Sequence, residues 1–275
     1  MGFLDRIKKN QTLPPRVFLY GGEKLGKSTF VSQCPGVIFL PTESGLDSIL
    51  EDIPPKLESY EDVRAAIKEL LTLDHDYQAV AIDTTTSLER LIHAHIMQID
   101  RVKSIVKAAG GYGNGYAMAV EMLRDILEGL DALREEKGMA VFLIGHSITK
   151  SFANPEGPAY DRWQPRGHEN FNSLIIEWAD IVGFVGYRER VGLEENDKTK
   201  RTVAHGIAGE NGTQRVIRLD GGPSCRAGSR YKLPREIPLD WGRFEAEPSS
   251  AVAIGLVARW LAVGGFFARP VRVAK

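Results

Sequence analysis

Arg16-Val-Phe-Leu-Tyr-Gly-Gly-Glu-Lys-Leu-Gly-Lys-Ser28 is the stretch on which the fold turns. Residues 16–20 form a short β-rich run that stops at Gly21-Gly22, and a helix-compatible segment opens at Lys27. The loop between them fits G-x-x-x-x-G-K-[ST] in the context that gives the pattern meaning, directly after a strand and opening a helix. Glycines there let successive backbone N–H groups turn inward around an anion. Lys27 is then placed to reach the β- and γ-phosphates of a nucleoside triphosphate, and Ser28 to ligate Mg²⁺. The residues expected around ATP are Gly21, Gly22, Glu23, Lys24, Leu25, Gly26, Lys27, Ser28 and Thr29, with ATP and Mg²⁺ as cofactors. Lys24, a second cation inside the loop, has no assigned role.

Strands and helices alternate outward from this loop. Residues 37–40 (Val-Ile-Phe-Leu), 79–83 (Ala-Val-Ala-Ile-Asp) and 139–145 read as further strands. Their continuous apolar character suits a sheet covered on both faces. Between them, residues 60–73 carry Val63, Ile67, Leu70 and Leu71 on one helical face. Residues 88–106 also read as helix, 110–115 as a glycine-rich break, and 116–137 as a long amphipathic helix ending at Gly138. Strand–helix alternation of this kind predicts a parallel sheet built from right-handed crossovers. The character changes after His146. Residues 151–167 hold three prolines and no apolar run, which predicts a long functional loop. Residues 180–187, 203–207 and 214–219 return as strands, the last two antiparallel, and 248–263 close as a helix. The expected organisation is an N-terminal extension over 1–15, one domain over 16–245, and a C-terminal helix and tail over 246–275.

Strand ends carry the remaining chemistry. Asp83 closes an apolar strand, as the Mg²⁺-orienting carboxylate of a Walker B element does. Thr84-Thr85-Thr86 follow instead of a second carboxylate, which argues against the AAA+ pattern, where an Asp-Glu pair carries the base. Glu43, just past the second strand in Phe39-Leu-Pro-Thr-Glu43, is the candidate to polarise the attacking water. Residues just past adjacent parallel-strand C-termini converge on one crevice, so His146, at the end of the fourth strand, also falls near the γ-phosphate. There it can sense nucleotide state and pass it to the following loop.

Composition removes several classes. The chain has 275 residues, with 35 basic and 36 acidic side chains and a formal charge of −1, so a nucleic-acid partner needs a local basic patch. Cys34 and Cys225 are too few for a disulfide scaffold or a thiolate metal site. Residues 1–9 lack the apolar run of a secretory signal, and residues 251–267 are interrupted by Arg259 and glycines, which reads as a buried or docking helix rather than a membrane span. A cytoplasmic location follows as the expectation. His93 and His95 lie two apart on a helix and cannot chelate one metal, and residues 194–201 mix both charge signs as a solvated hairpin tip does.

With these residues placed, the chain resembles the RecA-like core ATPases of bacteriophages, a group that includes single-strand annealing proteins. More broadly it is similar to the RecA/KaiC/DnaB branch of P-loop ATPases. The similarity rests on residues 21–28, Phe39-Leu-Pro-Thr-Glu43, Val80-Ala-Ile-Asp83, Tyr112-Gly-Asn-Gly-Tyr116, Leu143-Ile-Gly-His146 and Trp178-Ala-Asp180, and spans roughly residues 14–243. It implies a RecA-like α/β P-loop fold: a mostly parallel central sheet with helices on both faces and antiparallel strands at the C-terminal edge. It also implies a DNA-stimulated ATPase of phage-type recombination, with annealing or strand exchange on single-stranded DNA as its task. The implied partners are single-stranded DNA, further copies of the chain in a ring or filament, and a single-stranded DNA-binding protein, in a bacterial host cytoplasm. In that branch a late-strand Lys-x-Arg pair reaches the neighbouring subunit's nucleotide. Arg230 matches the Arg, Gly228 stands where the Lys is expected, and Arg226 and Lys232 lie nearby. The loops after strands four and five, 147–167 and 168–173, would face DNA through Lys150, Arg162, Trp163, Arg166 and His168. A P-loop kinase, or another nucleotide-metabolising enzyme, and a non-catalytic ATP-binding assembly module remain as alternative readings.

Overall fold

The computed structural model describes residues 13–49, 54–196, 201–208 and 214–247. In chain order the elements of the first half are β1 (Arg16–Gly21), α1 (Lys27–Ser32), β2 (Val37–Pro41), α2 (Tyr60–Thr72), β3 (Ala79–Asp83), α3 (Thr85–Ile99) and α4 (Asn114–Glu136). Then come β4 (Ala140–Phe152), β5 (Tyr160–Pro165), α5 (Glu169–Trp178), β6 (Ile181–Tyr187), β7 (Glu189–Asn196) and β8 (Arg201–Ala208). β9 (Arg215–Arg218), β10 (Gly228–Ser229), β11 (Glu236–Pro238) and α6 (Trp241–Glu245) complete the described part. The main sheet runs β11-β9-β6-β1-β4-β3-β2, with β10 beside β6 and β5 beside β4. β6, β1, β4, β3 and β2 are mutually parallel, while β9, β10 and β11 add antiparallel pairs at one edge. The parallel strands are those that the strand–helix alternation predicts, and the antiparallel edge is the one expected of the C-terminal strands.

Alternation along the buried strands explains the two-sided packing. Phe18, Tyr20, Val80, Ile82, Val141 and Leu143 face a core shared with α2, α3, α4 and α5. Val17, Leu19, Ala79, Ala81, Phe142 and Ile144 face the opposite core with Phe30, Trp241 and Phe244 from α1 and α6. A sheet packed on both faces needs no polar alternation, so its strands read as apolar runs.

Register then builds the crevice. Gly21 lies opposite His146 on one side and Val185 on the other, and Pro41 lies opposite Asp83. The residues that leave β1, β2, β3 and β4 therefore emerge at one end of the sheet, where open α/β sheets bind ligands. At the other end Asp180 is 5% exposed and takes hydrogen bonds from Arg16 and Arg230, with Arg134 3.5 Å away. Burial alone raises the Asp180 carboxyl, but the hydrogen bonds and charge of Arg16 outweigh it and hold the pKa below the ordinary range.

The structure differs from the sequence expectations in several elements. α3 starts at Thr85, not residue 88, because the Thr84 hydroxyl accepts the Ser87 N–H at 3.2 Å and caps the helix. It ends at Ile99; only a 3₁₀ turn, Ile105–Lys107, follows before the glycine-rich segment. The expected long loop over 151–167 is instead the outer half of a hairpin, in which β4 continues to Phe152 and pairs antiparallel with β5. This ribbon stands outside the layered core, so it lacks the apolar run that marks the other strands. Phe152 packs on Tyr160 across it, with ring centroids 5.4 Å apart. β7 and β8 form a separate antiparallel pair; of the expected hairpin tip, Glu194 to Asn196 and Arg201 belong to its ladder, and residues 197–200 lie outside the described residues. The expected helix over 248–263 and the tail lie outside the described residues, as do residues 1–12 of the expected N-terminal extension. Among the described residues no helix is long and apolar enough to cross a membrane.

Candidate functional site

The turn after β1 is shaped by two close approaches. A Cβ at Gly21 would stand 2.2 Å from the Val185 carbonyl oxygen, so only glycine lets β6 pass there. Gly26 has φ +89°, and a Cβ on it would meet the Arg215 guanidinium at 2.6 Å. Lys24, also in the left-handed region at φ 58°, adopts that conformation without being glycine. The loop so formed lines a cleft of about 670 Å³. Glu23, Lys24, Leu25, Gly26, Lys27, Ser28 and Thr29 form one wall. Glu43, Asp83, Thr84 and His146 from the other strand ends, together with Arg215, face it, and Leu46 and Ile49 supply apolar surface.

Lys27 is 5% exposed, and its ammonium donates to the carbonyls of Gly21 at 3.1 Å and Gly22 at 2.6 Å. Burial lowers its pKa, opposed by the nearby carboxylates of Asp83, Glu43 and Glu23. The Ser28 hydroxyl donates to Asp83 Oδ2 at 2.6 Å. Burial raises the Asp83 carboxyl, and the Ser28 hydrogen bond opposes that shift. This pair offers oxygen atoms only, the donor type that Mg²⁺ takes, beside a buried ammonium suited to phosphate. The residues fit a Mg²⁺-bound nucleoside triphosphate.

Glu43 sits at the centre of a second network. Its Oε2 accepts hydrogen bonds from the Thr84 hydroxyl at 3.0 Å and the Ser87 hydroxyl at 2.9 Å. His146 Nε2 lies 3.2 Å from Oε1. Burial pushes the Glu43 carboxyl up, yet the hydrogen bonds from His146, Ser87 and Thr84 together bring it down to about 2. Glu43 is thus an ionised carboxylate at the mouth of the cleft, positioned by β2, α3 and β4 at once. His146 also ties the site to the hairpin, because its carbonyl accepts the Arg166 N–H at 2.8 Å.

The expected DNA-facing residues divide in two. Lys150, Arg162 and Trp163 lie on the β4–β5 ribbon, and Lys150 stands directly opposite Arg162 across it. The Arg162 guanidinium lies 4.1 Å from the centre of the Phe152 ring. Arg166 instead reaches the phosphate loop, where it pairs with Glu23 at 3.1 Å. His168 turns inward: its N–H donates to Glu89 at 2.8 Å, and its ring stacks on Tyr116 with centroids 4.3 Å apart. Arg230 is not brought to this cleft, since its guanidinium is held by Asp180 at 2.8 Å and the Glu177 carbonyl at 2.7 Å. Of the other two basic residues near it, the Arg226 backbone brackets the Tyr20 hydroxyl.

Sequence reasoning missed Arg215, which donates to the Leu25 carbonyl at 3.2 Å from 190 residues away, and the hydroxyls of Thr84 and Ser87. The Thr84 signal was present but read only as a missing carboxylate.

A glycine turn leaving a central parallel strand, a buried lysine within it, and a serine bonded to the aspartate of a neighbouring strand define a P-loop NTPase. The chain matches the AAA domain family over residues 13–231 and belongs to it. No curated protein matches it. Thr84 in place of a second carboxylate therefore does not set the chain outside AAA domains. The Thr84 hydroxyl instead donates to the carboxylate of Glu43.

Proposed function

We propose that this protein hydrolyses ATP in a RecA-like manner and works on single-stranded DNA in phage-type recombination, by annealing or strand exchange. Lys27 and the loop amides take the β- and γ-phosphates, and Ser28 and Asp83 hold Mg²⁺, which neutralises phosphate charge when bound. Glu43 orients the attacking water. A carboxylate with a pKa of about 2 accepts the water's hydrogen bond without retaining its proton, so its part is alignment and polarisation. His146 touches Glu43 and, through its carbonyl, the root of the hairpin, so a change at the γ-phosphate has a direct route to β4 and β5.

The observation that carries the DNA reading is the Lys150–Arg162 pair. Like charges directly opposite on a two-stranded ribbon are destabilising, and an anion across them relieves the repulsion. Trp163, the next residue along β5 and so on the ribbon's other face, is 42% exposed and adds a stacking surface for an unpaired base that crosses the hairpin edge. In a ring or filament such ribbons repeat along one strand, which is how a chain of net charge −1 gathers enough cations.

The test is a single-strand binding titration at several salt concentrations for the parent and for Lys150→Ala/Arg162→Ala. Binding of the parent falls with salt, and the double variant binds more weakly, with its log–log salt slope reduced by about 1.4, roughly 0.7 for each lost phosphate contact. Salt-insensitive binding, or equal affinity of parent and variant, contradicts the proposal.

A further inference from the structure

Glu23 and Leu25, which line the ATP cleft, also line a second cavity of about 250 Å³ that the phosphate chemistry does not use. Its other walls include Trp163, Phe184, Tyr187 and Arg218. Trp163 and Tyr187 are 42% and 36% exposed, so two large aromatic side chains from different strands open onto one space. The Trp163 ring lies on Phe184, with centroids 5.9 Å apart and planes 22° from parallel, and the Arg218 guanidinium stands 5.7 Å from the Phe184 ring centre. The wall is therefore flat, π-rich and edged by a guanidinium, which also donates to the Tyr187 carbonyl at 3.0 Å and lies 3.8 Å from Glu236. The acid on it, Glu23, is already paired with Arg166 from the end of the hairpin. That pairing lowers the repulsion an approaching polyanion meets.

We propose that this cavity receives a base of the bound single strand, stacked against Trp163, and that strand occupancy is sensed there by the phosphate loop. The inference rests on the single-strand reading above and adds the place where a base, as distinct from a phosphate, is held. The occupant is an unpaired nucleobase because it must offer a free π-face, which stacked bases of a duplex do not. Lys150 and Arg162 lie on the other face of the ribbon from Trp163, so the strand's backbone crosses the hairpin edge between them, and the cation beside the seated base is Arg218 on the cavity wall. A base seated here touches Glu23 and Leu25 directly, and through Glu23 it also touches Arg166. ATP turnover should then respond to the bases of the strand and not to its phosphates alone.

The experiment compares oligo(dT) with an abasic strand of equal length, reading binding and strand-stimulated ATP turnover. The parent binds oligo(dT) about tenfold or more tightly than the abasic strand, the scale of one good base stack. Trp163→Ala and, independently, Tyr187→Ala bring oligo(dT) down toward the abasic level and lose its stimulation of turnover, whereas Trp163→Phe keeps most of both. Equal binding of the two strands by the parent overturns the proposal. So does unchanged oligo(dT) binding in Trp163→Ala and Tyr187→Ala while Lys150→Ala/Arg162→Ala weakens it. In that case the strand follows the hairpin without entering the cavity, and the single-strand reading survives alone. Absence of binding to either strand by the parent overturns both.

Discussion

In the proposed reaction Lys27 and Glu43 divide the work at the cleft between charge and alignment, and they are separable by mutation. Lys27→Ala removes the buried ammonium that faces the phosphates while leaving the Ser28–Asp83 pair in place. It is expected to weaken ATP binding or abolish turnover in a protein that still unfolds cooperatively; unchanged affinity and turnover contradict the assignment. Glu43→Gln keeps the shape of the side chain and is expected to retain ATP while lowering turnover by about 10²-fold, the scale of a lost general base or water-aligning group. The sign of the pH effect follows from the depressed pKa of about 2. The stability Glu43 contributes is fully present above the ordinary carboxylate pKa of about 4.3 and is lost as pH falls through about 2. The pH–rate profile should therefore show no acidic limb from Glu43 between about pH 5 and 8, where it stays ionised. A Glu43-dependent limb in that window contradicts the geometry. Much of this site was legible because backbone–phosphate chemistry is local in sequence, and Gly21 to Ser28 are contiguous. Arg215 was not, since a guanidinium 190 residues away meets Leu25 only after the antiparallel edge has folded back onto the loop.

The β4–β5 hairpin is the element where sequence and structure part most clearly. Residues 151–167 read as loop because a ribbon that buries only its base and one face of Trp163 carries no periodic apolar signal. What holds it is cross-strand pairing, Phe152 with Tyr160 and Arg162 over Phe152, together with Trp163, whose ring stacks on Phe184 and whose backbone N–H donates to the Ser224 carbonyl. Against these contacts stand the like charges of Lys150 and Arg162, directly opposite each other, which the proposed single-strand binding would offset. Lys150→Thr places a residue of high β-propensity opposite Arg162 and removes the like charge. It is expected to raise folding stability by a few tenths of a kcal/mol while weakening single-strand binding. Denaturant midpoints and a binding titration on the same preparation check the opposed signs. A loss of stability together with unchanged binding contradicts the account.

Across the whole molecule the sheet keeps its two ends chemically distinct, a phosphate cleft at one and the Asp180 ion cluster at the other. The cluster ties β1, α4 and the segment around Arg230 to the start of β6. Asp180→Ala leaves Arg16, 15% exposed, without its main partner and is expected to cost about 3 kcal/mol, read as a lowered urea midpoint. The parallel order of the sheet was accessible from the sequence, because its strands are apolar runs separated by helices of regular period. The role of Arg230 was not, because its ion pair with Asp180 links residues 50 apart in the chain. The most direct test of the central claim is ATP turnover by the intact chain with and without single-stranded DNA. The account predicts Mg²⁺-dependent hydrolysis that rises when the strand is added, with both rates depending on Lys27 and Glu43. Hydrolysis that the strand leaves unchanged, or phosphate transferred to a small-molecule acceptor in place of water, would contradict it.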